Sequence, residues 1–361
     1  MGEARVKSSA AVAVLGALAL GLTFLPARKK ADAILSSAAI ANRAENTTEG
    51  SRSHTAPLRV GLVFDVGGRG DKSFNDAAYL GLARAEQELG AEVSYLEPTG
   101  SEDREAALRL FAANKMDLVI GVGFIFSSDV DAVAAAYPNV HFACVDYASF
   151  GNPVPPNVAA LDFREEEGSF LVGAVAGLMS KTKNVGFVGG MTIPLIRKFE
   201  AGFIAGVKAT CDACIVHSAY VGPTPDAFKD PAKGKTLAIS EIAAGADIIF
   251  HAAGSTGHGV FEGARDAHVL AIGVDSDQYD DMPGTVLTSM VKGVDVSVFD
   301  TIKDVQNGHF QAGTHAFGLA ENGVDYVHTG PHGAMIPDDV KAKIEVLRAK
   351  VISGEIHVPS E

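Results

Sequence analysis

Tryptophan is absent from the 361 residues, and cysteine occurs only three times. The carbocyclic aromatics are therefore 19 Phe and 7 Tyr. Basic residues are outnumbered by acidic ones, and the formal net charge is -14. That balance argues against binding nucleic acid or an anionic membrane through a general basic surface. The motifs of common catalysts are missing or incomplete. Gly254-Ser255-Thr256-Gly257-His258-Gly259 is neither G-x-G-x-x-G nor a Lys-terminated phosphate loop, and Gly121-x-Gly123 lacks its third glycine. No G-x-S-x-G elbow is present. His251 and His258 are seven residues apart, which is not the helical spacing of a zinc pair. No catalytic residue, metal or cofactor is expected, and the chain is read as a non-enzyme.

The few cysteines are informative by position. Cys211-x-x-Cys214 follows a helical pattern and precedes a strand-like run at 215–220. A thioredoxin-type pair would open a helix instead. The pair reads as a turn closing a small disulfide outside the cytoplasm. Cys144 lies in an apolar strand and reads as a small buried hydrophobe. There is no cysteine before it. At the N-terminus, Arg5 and Lys7 precede an apolar run at 10–25, followed by Pro26 and Arg28-Lys29-Lys30. This is the order of an export signal, with Ala31-Asp32-Ala33 as a cleavage site. The run is also near the lower limit for a spanning helix. Residues 1–33 are thus a signal peptide or an N-terminal anchor, and 34–57, polar and without periodicity, a disordered linker.

From residue 58 the chain alternates strand, loop and helix. Strand-like runs fall at 58–64, 91–96, 118–122, 140–146 and 158–163, with helical patterns between them. After Arg164-Glu165-Glu166-Glu167 the rhythm restarts, with strands at 185–189, 215–220, 248–252 and 269–274. Two such runs imply two doubly wound α/β halves: lobe 1 over 58–163 and lobe 2 over 164–285. A further strand at 286–290 and a helix at 295–307 follow. Residues 331–361 read as a C-terminal tail, largely a charged amphipathic helix.

The stretch 60–75, VGLVFDVGGRGDKSFN, organises the rest. A loop leaving the carboxyl end of a first strand is where open α/β sheets bind ligands. This one carries Asp65, Asp71, Phe74 and Asn75. Carboxylates, a flat ring and an amide suit a neutral, polar, planar ligand, whereas phosphate favours backbone N–H groups and cations.

This stretch resembles the signature of the basic membrane protein family, the purine-nucleoside receptors of bacterial ABC importers. Glu167-Gly168-Ser169-Phe170-Leu171-Val172-Gly173, Phe199-Glu200-Ala201-Gly202-Phe203 with Gly206, the Gly254–Gly259 segment with Ala253, and Ile272-Gly273-Val274-Asp275-Ser276-Asp277-Gln278 match in the family's order. The resemblance implies a type I periplasmic binding fold with a ligand cleft between two lobes, and residues 286–330 returning to lobe 1. It implies a nucleoside ligand, an ABC permease as partner, no nucleic acid and a monomer. Phe74 and Phe199, one from each lobe, are the expected stacking pair. Asp65 and Asp146 are expected to accept from the base, with Asn75 and Asp71 orienting it. Asp275 and Lys292 are expected at the ribose, with Gly254 allowing close backbone approach. The expected location is the periplasm or the outer face of the cytoplasmic membrane. Family members often carry a lipid on a cysteine directly after the signal, and this chain has none there, so a lipid anchor is not expected. Two other readings stay open: a sensor or sugar-type binding protein docking a receptor, and a nucleoside hydrolase or phosphorylase.

Overall fold

The structure, a computed structural model, describes residues 56–361. The expected signal or anchor at 1–33 and all but the end of the expected linker at 34–57 lie outside the described residues.

The first half builds β1 (Arg59–Val63), α1 (Phe74–Leu89), β2 (Glu92–Leu96), α2 (Ser101–Ala113), β3 (Leu118–Val122), α3 (Ser127–Ala136), β4 (His141–Val145) and β5 (Val158–Phe163). The local causes are plain. β3 is a five-residue apolar run buried throughout, as a strand covered on both faces must be. α1 ends because Gly90 turns left-handed at φ 67°, its N–H closing on the Ala85 carbonyl. The second half builds α4 (Glu165–Met179), β6 (Asn184–Gly189), α5 (Pro194–Thr210), β7 (Ile215–Tyr220), α6 (Pro231–Ala243), β8 (Ile248–Ala252), α7 (Gly257–Asp266) and β9 (Leu270–Asp275). Then come β10 (Val286–Lys292), α8 (Val294–Gln306), β11 (Gly313–Phe317), β12 (Val324–Tyr326) and α9 (Asp338–Ile352).

Two six-stranded sheets result, in the orders β2-β1-β3-β4-β5-β11 and β7-β6-β8-β9-β10-β12. All neighbours run parallel except β12 against β10. This is the two-lobed α/β architecture of type I periplasmic binding proteins. One expectation is corrected. The strand beginning at Val286 does not return to lobe 1; it pairs with β9 from Val286↔Ala271 to Val291↔Asp275, in the second sheet. The return is made by α8, which packs on α1, and by β11, which pairs with β5. β12 then goes back to lobe 2, and α9 packs on α4 there. An apolar strand pattern carries no mark of which sheet has an open edge beside it. The chain therefore crosses between lobes at β5–α4, β10–α8 and β11–β12.

Lobe 2 packs tightly where α4 meets α5. A Cβ on Gly173 would overlap the Phe203 carbonyl, and one on Gly206 the Phe170 carbonyl, so the backbones touch directly. Cys211 and Cys214 are joined by a disulfide in the turn between α5 and β7. Cys144 is fully buried and free. Glu241 of α6 is buried with no hydrogen-bond partner on either carboxylate oxygen. Burial alone pushes its pKa up to about 9.

Two stability tests follow from this packing. Gly206→Ala is expected to cost about 1–3 kcal/mol by overpacking, read by denaturant unfolding. For Glu241, the folded-state pKa lies above the unfolded value, so the folded form favours the protonated acid. Stability from this group is greatest below the unfolded carboxyl pKa and falls as pH rises toward about 9. Glu241→Met should therefore raise the melting temperature at pH 8 and raise it less at pH 5; an equal gain at both would contradict the sign.

Candidate ligand cleft

Between the lobes lies a cleft enclosing about 560 Å³ of empty space, part of it open to solvent. All nine residues singled out in the sequence line it: Asp65, Asp71, Phe74, Asn75, Asp146, Phe199, Gly254, Asp275 and Lys292. They come from strand ends, loops and the first turns of helices at the carboxyl edges of both sheets, where open α/β sheets place ligands.

Their surroundings differ. The Asp71 carboxylate is turned into the start of α1. It accepts from the backbone N–H groups of Ser73 (3.0 Å), Asn75 (2.9 Å) and Asp76 (3.1 Å), and from Asn75 Nδ2 (3.0 Å). It acts as the cap that fixes where Phe74 emerges. The Asn75 amide is likewise engaged within the loop, its Oδ1 accepting from the Asp65 N–H at 2.9 Å. Asp65 is freer. Its Oδ1 accepts from the Val66 N–H at 2.5 Å, and burial raises its pKa to about 7, with nearby Asp146 adding to the rise. Asp275, left-handed at φ 66°, takes a hydrogen bond from the Ser73 hydroxyl at 2.9 Å. Burial raises its pKa to about 6, against the pull of Lys292.

Lys292, the last residue of β10, is 3% exposed. Its Nζ lies 2.8 Å from both Asp146 oxygens and 3.3 Å from Glu165 Oε1. Burial disfavours the charged ammonium, but Asp146, Glu165 and Asp275 outweigh it and raise its pKa. Asp146 thus spends both oxygens on Lys292. The same ammonium lies 5.0 Å from the centroid of the Phe74 ring and 5.6 Å from that of Phe199. The two rings flank one point from opposite lobes.

Several contributors escaped the sequence reading. Glu165, fully buried, joins Lys292 to Lys198, whose Nζ also donates to the Phe163 carbonyl at 2.9 Å. Its signal was a carboxylate opening an apolar helix at the lobe boundary. Phe124 and Phe228 also line the cleft, and their rings meet edge to face across it with centroids 6.5 Å apart. Phe124 could have been found from its place just past β3; Phe228 sits in a short turn with no comparable mark.

The comparisons with known proteins agree with this geometry. Residues 58–361 match the family model Bmp, described as ABC transporter substrate-binding protein PnrA-like. The chain belongs to this family. A CD4+ T-cell-stimulating antigen of Listeria monocytogenes is 36% identical over 324 residues, covering 84% of this chain and 88% of the relative. The ABC transporter nucleoside-binding protein BmpA of Lactococcus lactis is 30% identical over 359 residues, covering 91% and 99%. Among solved structures, an ABC transporter solute-binding protein of Aeropyrum pernix superposes with a TM-score of 0.77 at 31% identity, covering 84% of this chain and 94% of that one. As a Bmp-family member, this protein is a substrate-binding component of an ABC transporter.

The ion cluster gives a direct test. Lys292→Met leaves Asp146 and Glu165 buried without their shared cation, and removing one partner of a buried pair typically costs about 3–5 kcal/mol. Chemical denaturation should show a loss of that order, larger than the loss for Lys198→Met, because Lys198 is partly exposed.

Proposed function

We propose that this Bmp-family protein captures a purine nucleoside outside the cytoplasmic membrane and delivers it, unaltered, to an ABC permease. The observation that carries the reading is the pair of rings, Phe74 and Phe199, contributed by opposite lobes to a cleft rich in carboxylates. A planar base stacks between such rings, each contact contributing about 0.5–1.5 kcal/mol. Asp65 accepts from N–H groups on the base edge, and Asp275 accepts from ribose hydroxyls. Among the described residues, the one ammonium lining the cleft is Lys292, which is neutralised by Asp146 and Glu165, so a phosphorylated ligand meets carboxylates with no free cation there to balance it. The name of the Lactococcus lactis relative supports the ligand class. The disulfide in lobe 2 suits an oxidising, extracytoplasmic compartment. A single copy acts alone in this reading, since both lobes must face the permease.

The test is isothermal titration of ligand-stripped, refolded protein with inosine, guanosine, adenosine, ribose and inosine 5′-monophosphate. Nucleosides should bind tightly, and ribose and the monophosphate weakly. Phe74→Ala should lose about tenfold in affinity, the value of one stacking contact. Nucleoside affinity should fall between pH 8 and pH 5, because Asp65 and Asp275, with pKa values raised to about 7 and about 6, protonate over that range and cease to be full acceptors. Silence toward every nucleoside, with ribose binding instead, would move the function to sugar-type recognition.

A further inference from the structure

Outside the ligand cavity the lobes meet through a second set of contacts. On the lobe 1 side it is a single short segment of the β1–α1 loop. Three consecutive backbone carbonyls there each accept a hydrogen bond from a lobe 2 side chain. The Asp71 carbonyl lies 3.1 Å from His258 Nε2 of α7. The Lys72 carbonyl accepts from Gln278 Nε2 at 3.3 Å. The Ser73 carbonyl accepts from the Ser276 hydroxyl at 3.2 Å. The Lys72 ammonium adds an ion pair with Asp281 at 2.8 Å.

Both sides are built to present these groups. Lys72 is left-handed, at φ 50°, a conformation that costs a side-chain-bearing residue on the order of 1 kcal/mol and persists only where surrounding contacts hold it. Here its N–H is held within lobe 1 by Asp76 Oδ2 at 3.0 Å, while its carbonyl and ammonium are held from the other lobe. On the lobe 2 side, Gln278 is 2% exposed and fixed in orientation. Its N–H donates to the Ser289 hydroxyl at 3.0 Å, and its Oε1 accepts from the Val274 N–H at 2.8 Å. The same Oε1 lies 3.2 Å from Nε2 of His251, which burial keeps neutral, its pKa lowered to about 3. With both donors on Oε1, the amide nitrogen is left to reach across to lobe 1. Asp281 Oδ2 lies 3.6 Å from His258 Nδ1 on the same side of the interface.

Lys72, His258, Ser276, Gln278 and Asp281 are all absent from the cavity lining. Yet Lys72 lies two residues before Phe74, in the same capped loop that delivers the ring. We propose that this carbonyl ladder is the latch of the closed cleft: Lys72, His258, Gln278 and Asp281 are positioning residues that set how long a ligand stays enclosed without touching it. The inference rests on the capture reading given above, because a latch matters only if the lobes close over a ligand.

The experiment is stopped-flow displacement with inosine as the probe. Lys72→Ala and Asp281→Asn should each raise the dissociation rate about threefold, in keeping with one partly exposed ion pair. His258→Ala should raise it about fivefold, one hydrogen bond's worth. Association rates and the melting temperature of the ligand-stripped protein should stay near wild type, and Lys72→Arg should restore slow dissociation. Combining Lys72→Ala with Asp281→Asn should add little to either alone, since both remove the same pair. Unchanged dissociation in Lys72→Ala, Asp281→Asn and His258→Ala would overturn the latch.

A second readout separates its failure from failure of the nucleoside reading. Spin labels at Leu110→Cys and Ile239→Cys, exposed positions on α2 and α6, report the distance between lobes in ligand-stripped protein. If no nucleoside binds wild type, the capture reading fails, and the latch still predicts that Lys72→Ala/His258→Ala shifts the distances upward. An unshifted distribution in that variant would overturn the latch on its own.

Discussion

A lysine and two carboxylates, all cut off from water, sit where the chain crosses between its lobes. Lys292 ends β10 in lobe 2, Asp146 follows β4 in lobe 1, and Glu165 opens α4 just after the first crossover. Taking three charges out of water is costly, and such a cluster adds little net stability over an apolar one. What it does is penalise misplacement: any shift of β10 relative to β4 leaves a buried charge unpaired. In the conformation described, the cluster ties the carboxyl ends of the two sheets together. Everything else in the cleft is arranged around that point, with the rings of Phe74 and Phe199 facing the same ammonium.

The cluster also shapes what the cleft accepts. With Lys292 satisfied by its carboxylates, the remaining unpaired groups are acceptors, led by Asp65 and one side of Asp275. Under the proposed reading, such a cavity favours donors on a neutral ligand and resists anions. The two acceptors are themselves poised near neutrality by burial, at about 7 and about 6. Under the proposed reading, recognition by these two carboxylates is coupled to their protonation through desolvation.

A division of labour runs through the β1–α1 loop. The Asp71 carboxylate turns inward to cap α1, its backbone carbonyl turns outward to lobe 2, and Phe74 projects into the cavity. One segment of about five residues therefore sets the helix start, meets the opposite lobe and lines the cleft. This explains why Asp71 and Asn75, read from the sequence as ligand groups, have their polar atoms largely taken up within the loop. The residue types for recognition and for capping are the same, and only the direction of the side chain tells them apart.

Local patterning was sufficient for most of the elements: β3, β5 and β8 fall where the apolar runs place them, because short buried strands need little beyond an apolar run between turns, and the half-exposed β7 also falls where expected. Strand polarity dictates which loops converge, so Asp65 after β1, Asp146 after β4, Gly254 after β8 and Asp275 at the end of β9 could be placed at the cleft, whereas Phe124 after β3 was missed. β11, half-exposed along its length, and β12, only three residues long, were not legible, having little apolar pattern to detect. The sheet that β10 joins was decided by pairing with β9, and the partner of each buried charge by contacts far along the chain. Lys292 meets Asp146 across 146 residues, and Gln278 meets Lys72 across 206. The sequence by itself determined the strand-and-helix rhythm and the inventory of side chains at the cleft. Which of those side chains face a ligand, a helix end or the opposite lobe was decided only by the tertiary structure, because hydrogen bonds and desolvation depend on neighbours that no local pattern encodes.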